Sequence, residues 1–253
     1  MLFRLSVPIC RLALAFIALH GSSAWAQEND SRHIQPGDPE LDTPAFAAYE
    51  AEYTSAFGRF THQVRPVRDQ VIIVLNIIET PQGVIVDHRG LDAVTLRMTY
   101  FYSPYFAWGQ EYVVGNLSET GYDWTRVSLE GGVPRRITGA WDSDGVFEGL
   151  GFSPTLASLM PMEPGERFSL PYDEPTSNGQ VMAGWMTFEV MGREVLSSPA
   201  GVECECWILE QQDSSGSVTR FWVDRHAPFI FRRHRDIGGP RDFVSDLLSF
   251  RPL

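Results

Sequence analysis

The sequence contains no lysine: all 20 of its basic residues are arginine. That absence excludes Schiff-base lysines, P-loop lysines and the Ser-x-x-Lys nucleophile arrangement, each of which needs an ε-amine. Basic charge is in deficit as a whole, with 32 acidic residues and a formal net charge of −12. An acidic surface repels phosphate backbones, so nucleic acid is not an expected partner. Cysteine is scarce, at three residues, and one of them, Cys10, falls in the N-terminal apolar stretch. His-x-His, His-Glu-x-x-His and Cys-x-x-Cys spacings are missing, as are Gly-x-Ser-x-Gly and a Gly-rich phosphate loop. No metal, cofactor or catalytic residue is therefore expected, and the chain does not read as an enzyme.

What is present begins with a signal peptide. Arg4 and Arg11 flank the start of Leu12-Ala13-Leu14-Ala15-Phe16-Ile17-Ala18-Leu19, and Ala24-Trp25-Ala26 supplies an A-x-A cleavage pattern. The apolar stretch falls short of the roughly 20 residues that span a bilayer. No later segment is apolar enough to cross one, and Cys10 has no lipidation context. Residues 1–26 thus read as a cleaved leader that sends the chain to the periplasm, with secretion as the alternative. Cleavage removes two arginines and no acid, so the mature chain is more acidic still.

Residues 27–45 are polar and Pro-containing and read as a flexible leader. From residue 46 onward the punctuation is that of one β-rich domain. Phe46 to Phe60 permits either a short helix or a first strand. Val71–Ile78, Val84–Val86, Val94–Tyr102, Trp108–Val114, Tyr122–Leu129 and Arg136–Trp141 are short apolar or alternating runs broken by Gly, Pro, Asn and Asp. Ser153-Pro154 then sets an N-cap and a proline at a first helical position. Leu156, Leu159 and Met160 follow helical spacing, so one short helix is predicted here, closed by Pro161 and Pro164-Gly165. Strands resume at Glu166–Leu170, Val181–Met191, Val202–Gln211, Val218–Val223, Phe229–His234 and Phe243–Phe250. The predicted class is all-β and mainly antiparallel, a strongly curved sheet or half-barrel with one short helix, in a single domain over 46–253.

Cys204 and Cys206 lie two apart in a strand, on one face, with Cα atoms roughly 6.5–7 Å apart in regular geometry. A disulfide wants its Cβ atoms closer than that arrangement allows. Two small buried residues on the core face are the favoured reading. Asp142-Ser143-Asp144-Gly145 begins like a calcium loop, but Glu148 comes too early for the twelve-residue frame, and a hairpin turn accounts for it.

Aromatics concentrate between Tyr100 and Tyr112. Tyr100 and Tyr102 face one way on a strand and Phe101 the other. Tyr100, Tyr102, Phe106, Trp108 and Trp185 are the candidate lining of an apolar cavity for an amphiphile. The late arginines Arg232, Arg233 and Arg235 are the candidate contacts for an anionic group.

Several motifs resemble the domain of unknown function 3108 family. Ser158-Leu159-Met160-Pro161 followed by Pro164-Gly165-Glu166-Arg167-Phe168-Ser169-Leu170-Pro171 is similar to the middle of that domain. Val190-Met191-Gly192-Arg193-Glu194-Val195-Leu196 running into Pro199-Ala200-Gly201 is similar to its next step. Phe221-Trp222-Val223-Asp224 with Pro228-Phe229-Ile230 resembles its late strand-turn-strand. The resemblance covers Tyr49 to Leu253, is strongest from Ser153, and departs most in the N-terminal third. It implies a periplasmic half-barrel similar to the lipoprotein-localisation factors, whose concave face holds acyl chains under a helical lid. The implied ligand is a lipid, a lipoprotein acyl chain or another hydrophobic envelope component, bound without catalysis, with the Pro154–Met160 helix covering or gating the cavity. The alternative is an envelope protein-interaction or scaffolding module with a filled core. The first thing to check is export: intact mass of the periplasmic form should correspond to a chain beginning at Gln27, and a retained leader would contradict the cleavage assignment.

Overall fold

The computed structural model describes residues 31–43, 46–55, 58–68, 71–80, 83–103, 111–128, 131–148, 154–175, 181–199, 201–212, 216–240 and 242–253. The expected signal peptide and the start of the expected leader lie outside these residues, as do Phe106 and Trp108. Residues 31–253 form one compact unit.

Among these residues, fifteen strands make a single sheet. They are β1 (Arg32–His33), β2 (Tyr49–Ser55), β3 (Gly58–Val67), β4 (Val71–Thr80), β5 (Gly83–Asp92), β6 (Met98–Ser103), β7 (Glu111–Leu117), β8 (Gly121–Ser128) and β9 (Arg135–Ala140). After the helix come β10 (Arg167–Pro175), β11 (Val181–Ser197), β12 (Glu203–Gln212), β13 (Val218–Val223), β14 (Ile230–Arg235) and β15 (Phe243–Pro252). β2–β9 form one antiparallel meander and β10–β15 a second. β15 pairs with β2, giving the order β1-β10-β11-β12-β13-β14-β15-β2-β3-β4-β5-β6-β7-β8-β9. β1 is the parallel exception, beside β10. The all-β, antiparallel class, with one short helix among the described residues, is the observed one, in a sheet that is not closed into a barrel.

The helix differs in kind from the sequence reading. Pro154–Leu159 is a 3-10 helix, and all six of its residues are buried. The region 46–60, left open between helix and strand, resolves into β2 and the start of β3. The expected strand Val94–Tyr102 is shortened, with residues 94–97 in a turn and strand from Met98. β5 runs on to Asp92, whose Oδ1 accepts from the backbone N–H groups of Val94 and Thr95 at 2.9 and 2.8 Å. That side-chain cap turns the chain before β6 begins at Met98, and Leu96 takes a left-handed φ of 59°.

The second part of the expected flexible leader is built into the domain. Ile34 is fully buried and its N–H donates to the Ser169 carbonyl at 3.0 Å. Gly37 N–H reaches the Thr95 carbonyl, Asp42 N–H the Ser158 carbonyl, and the Asp42 carboxylate pairs with Arg225. Residues 31–43 therefore link the β10 edge, the β5–β6 turn, the 3-10 helix and the β13–β14 turn. A second cross-tie comes from residues 146–147. Val146 accepts from Met98 N–H, and Phe147 donates to Pro171, each at 2.9 Å. Phe147 and Tyr172 form an isolated parallel bridge. The edge of β10 is thus covered in two places, whereas β9, at the other end of the sheet, has five of its six residues exposed.

Alternation assigns the faces. In one row across the sheet, Tyr49, Val64, Val74, Arg89, Phe101, Gly115 and Trp124 are successive register partners. All are buried. This inner face joins Val190, Leu209 and Phe221 of the second meander in one apolar cluster with the 3-10 helix. Burial of each large side chain of this kind contributes about 1.5–3 kcal/mol. Gly115 is required by a close approach: a Cβ there would lie 2.2 Å from Cδ1 of Trp124, whose indole crosses over β7. At Gly90 a Cβ would meet the Tyr100 ring at the same 2.2 Å, but Tyr100 is half-exposed and can swing outward. Gly115→Ala should therefore cost about 1–3 kcal/mol in urea unfolding, and Gly90→Ala distinctly less; equal losses would contradict this account of the packing.

Candidate functional site

Tyr100 and Tyr102 stand on the face opposite Phe101, as alternation requires. Phe101 is fully buried and both tyrosines are half-exposed. Tyr102 makes an edge contact with His88, centroids 5.5 Å apart, and a tilted one with Tyr112 at 5.7 Å. Trp185 lies on β11 in the other meander, out of phase with the buried Met186, Phe188 and Val190. It is 39% exposed and meets the His33 ring edge-on at 4.6 Å. The candidate lining residues are therefore not brought together on the inner face: Tyr100, Tyr102 and Trp185 are outer-face residues of two separate meanders. Phe106 and Trp108 fall outside the described residues.

The arginines are also split by alternation. Arg232 pairs with Asp246 at 2.5 Å on the outer face, with its guanidinium 5.5 Å from the Trp222 ring. Arg233 points to the inner face over Phe221, at 5.6 Å from its centroid. Arg235 ends β14 opposite Phe243, in phase with Arg233. The three do not form one cationic surface. Cys204 and Cys206, favoured from sequence as unbridged, are joined as a disulfide with Cα atoms 5.1 Å apart. The strand is drawn in between them, which regular geometry did not anticipate.

A different constellation occupies the inner face of the first meander. His62 on β3, Asp87 and Arg89 on β5, and Glu148 from the loop after β9 are all buried. Tyr49 and Tyr53 on β2 are buried beside them. His62 and Asp87 are both register partners of Asn76, one from each side of β4, so they share a row two strands apart. Arg89 Nη2 donates to Asp87 Oδ2 at 3.1 Å, and its guanidinium lies 5.3 Å from the Phe101 centroid. The Tyr49 and His62 rings meet edge-on at 5.9 Å. Tyr53 donates to the Ile230 carbonyl at 2.7 Å and Tyr49 to the Pro228 carbonyl at 3.5 Å, which fixes both phenols against the β13–β14 turn.

Burial sets the electrostatics here. Desolvation lowers the His62 pKa to about 3, so its imidazole is neutral at ordinary pH. Desolvation also raises Tyr49, with the neighbouring Tyr53 and the Glu148 charge adding to the shift. The result is an apolar wall carrying a neutral imidazole, two phenols, an internal ion pair and a carboxyl group. Such a set can orient a polar group at the end of an apolar ligand. Among the described residues, no group of three or more His, Cys, Asp or Glu side chains is arranged to hold a metal ion.

Sequence reasoning missed this set because it looked for spacing motifs, and these residues are gathered by register. The available signal was phase. His62 falls in step with Phe60 and Val64, and Asp87 and Arg89 fall in step with Leu91, so each is a polar residue at a position where alternation calls for an apolar one.

Residues 122–245 match the model of the family described as Protein of unknown function (DUF3108), and this segment is similar to that family. No curated protein and no solved structure matches the chain. No helix among the described residues is long and apolar enough to cross a membrane.

The buried imidazole has a measurable consequence. Its folded-state pKa of about 3 lies below the ordinary value, so between pH 6.5 and 3 the unfolded chain binds a proton that the folded chain refuses. Stability from this group is complete above about pH 6.5 and falls by up to roughly 1.4 kcal/mol per pH unit as pH drops toward 3. Urea unfolding of His62→Leu at pH 7, 5 and 4 should show a shallower acid loss than wild type; parallel curves would contradict the assignment.

Proposed function

We propose that the chain is a non-enzymatic binding protein of the bacterial periplasm, and that the inner face of its sheet holds a lipid, a lipoprotein acyl chain or another hydrophobic envelope component. The observation that carries this reading is the set of titratable side chains, His62, Asp87, Arg89 and Glu148, buried in an otherwise apolar and aromatic wall. Desolvating an ion pair costs several kcal/mol per ion, and apolar residues of similar volume serve packing as well or better. A polar set kept in such a wall is the expected mark of a site that takes an apolar ligand with a polar end. The leader read at residues 1–26 supports that compartment. On this reading the lining is Tyr49, Phe101 and Trp124 with the 3-10 helix as cover, and Tyr100, Tyr102 and Trp185 take no part.

A second reading, an envelope protein-interaction module with a filled core, is favoured by one observation. His88, Tyr102 and Tyr112 form a half-exposed aromatic group on the outer face, beside Val114, which is exposed. Native mass spectrometry of protein taken from a periplasmic extract without detergent separates the two. The binding reading expects a reproducible added mass that extracts as an acyl-bearing species. A clean apo mass, with no uptake of an added fatty-acid ester or hydrophobic dye, would shift the assignment to the interaction module.

A further inference from the structure

Two buried N–H donors on the inner face have no acceptor among the described residues: Nε of Arg89 and Nε1 of Trp124. Both side chains are more than nine-tenths buried. They belong to one register row, Arg89–Phe101–Gly115–Trp124, across β5 to β8. Phe101 contacts both: the Arg89 guanidinium lies 5.3 Å from its centroid, and the Trp124 indole meets it edge-on at 4.6 Å. The indole reaches that position because Gly115 has no Cβ to obstruct it.

A buried donor without an acceptor costs roughly 1–3 kcal/mol, so two of them on one aromatic residue form a structured deficit of acceptors. The charge balance limits what could fill it. Arg89 is already neutralised by Asp87 at 3.1 Å, so the row offers hydrogen bonds and no net positive charge. A full anion would bring an uncompensated charge into an apolar wall. A neutral carbonyl oxygen has two lone pairs and suits two N–H donors from different directions.

We propose that this row is the recognition point for the carbonyl of an acyl ester or amide, with Phe101 as the floor, Arg89 and Trp124 as the donors, and the alkyl chain along the aromatic wall. The assignment rests on the binding reading above and adds to it the part of the ligand that is recognised. It implies a preference for carbonyl-bearing chains over plain alkanes of the same length.

The test displaces a fluorescent hydrophobic probe from the full mature chain with methyl laurate or with n-tetradecane, an alkane of comparable length. Wild type should bind the ester about tenfold or more tightly than the alkane. Trp124→Phe keeps an aromatic ring and removes the N–H; it should weaken the ester by about three- to tenfold, the range for one hydrogen bond, and the alkane distinctly less. In wild type, the infrared band of carbonyl-labelled methyl laurate should shift to lower frequency on binding, a readout that needs no variant. Equal affinity for ester and alkane, or an unshifted carbonyl band, would overturn this inference and leave the binding reading intact. Displacement by neither compound would overturn both.

Discussion

The pairing of β15 with β2 is the constraint on which the rest of the architecture depends. Each meander alone is a run of local hairpins, but this one ladder joins them into a continuous sheet. It brings together residues about two hundred positions apart, Leu247 opposite Tyr53 and Phe250 opposite Ala51. Closing so long a loop costs chain entropy, and it slows folding because the contact rewards the chain only once both meanders exist. The cost is offset locally. Leu247, Tyr53 and Ala51 are all fully buried, and the Tyr53 hydroxyl ties β2 to the Ile230 carbonyl as well. The inner-face site lies on the β2 side of this seam, so Tyr49 and Tyr53 belong at once to the seam and to the site.

Alternation then decides what each strand offers to each face. It places Phe101 inside and Tyr100 and Tyr102 outside, and it places Arg233 inside and Arg232 outside. Sequence neighbours are for that reason poor guides to function in this fold. Residues that share a face and a row are gathered from separate strands, as His62 and Asp87 are by their common partner on β4. The same logic lets Gly115 matter without a side chain, because its missing Cβ gives the Trp124 indole its place.

Much of the fold was legible in the sequence because hairpins and strand alternation are local signals. The strands from Val71 onward, the proline-started turn of helix at Pro154 and the closing strand to Phe250 lie close to where the residues indicated. What was not legible depended on partners distant in sequence. The strand expected at Val94 gave way to the Asp92 side-chain cap, and the polar stretch from Ser31 found acceptors at Thr95, Ser158 and Ser169 that no local pattern announces. The site was harder still. A row of register partners carries no spacing motif, and its one local trace is a polar residue standing at an apolar phase.

The two ends of the sheet are unlike. The edge of β10 is covered by β1 and by the bridge at Phe147, whereas β9 runs exposed and begins with Arg135 and Arg136. Long sheets assemble into fibres when both borders accept new strands, each addition recreating the border it used. Among the described residues the exposed border is that of β9, and two copies meeting there would consume it on both. Growth by strand addition would end at a pair.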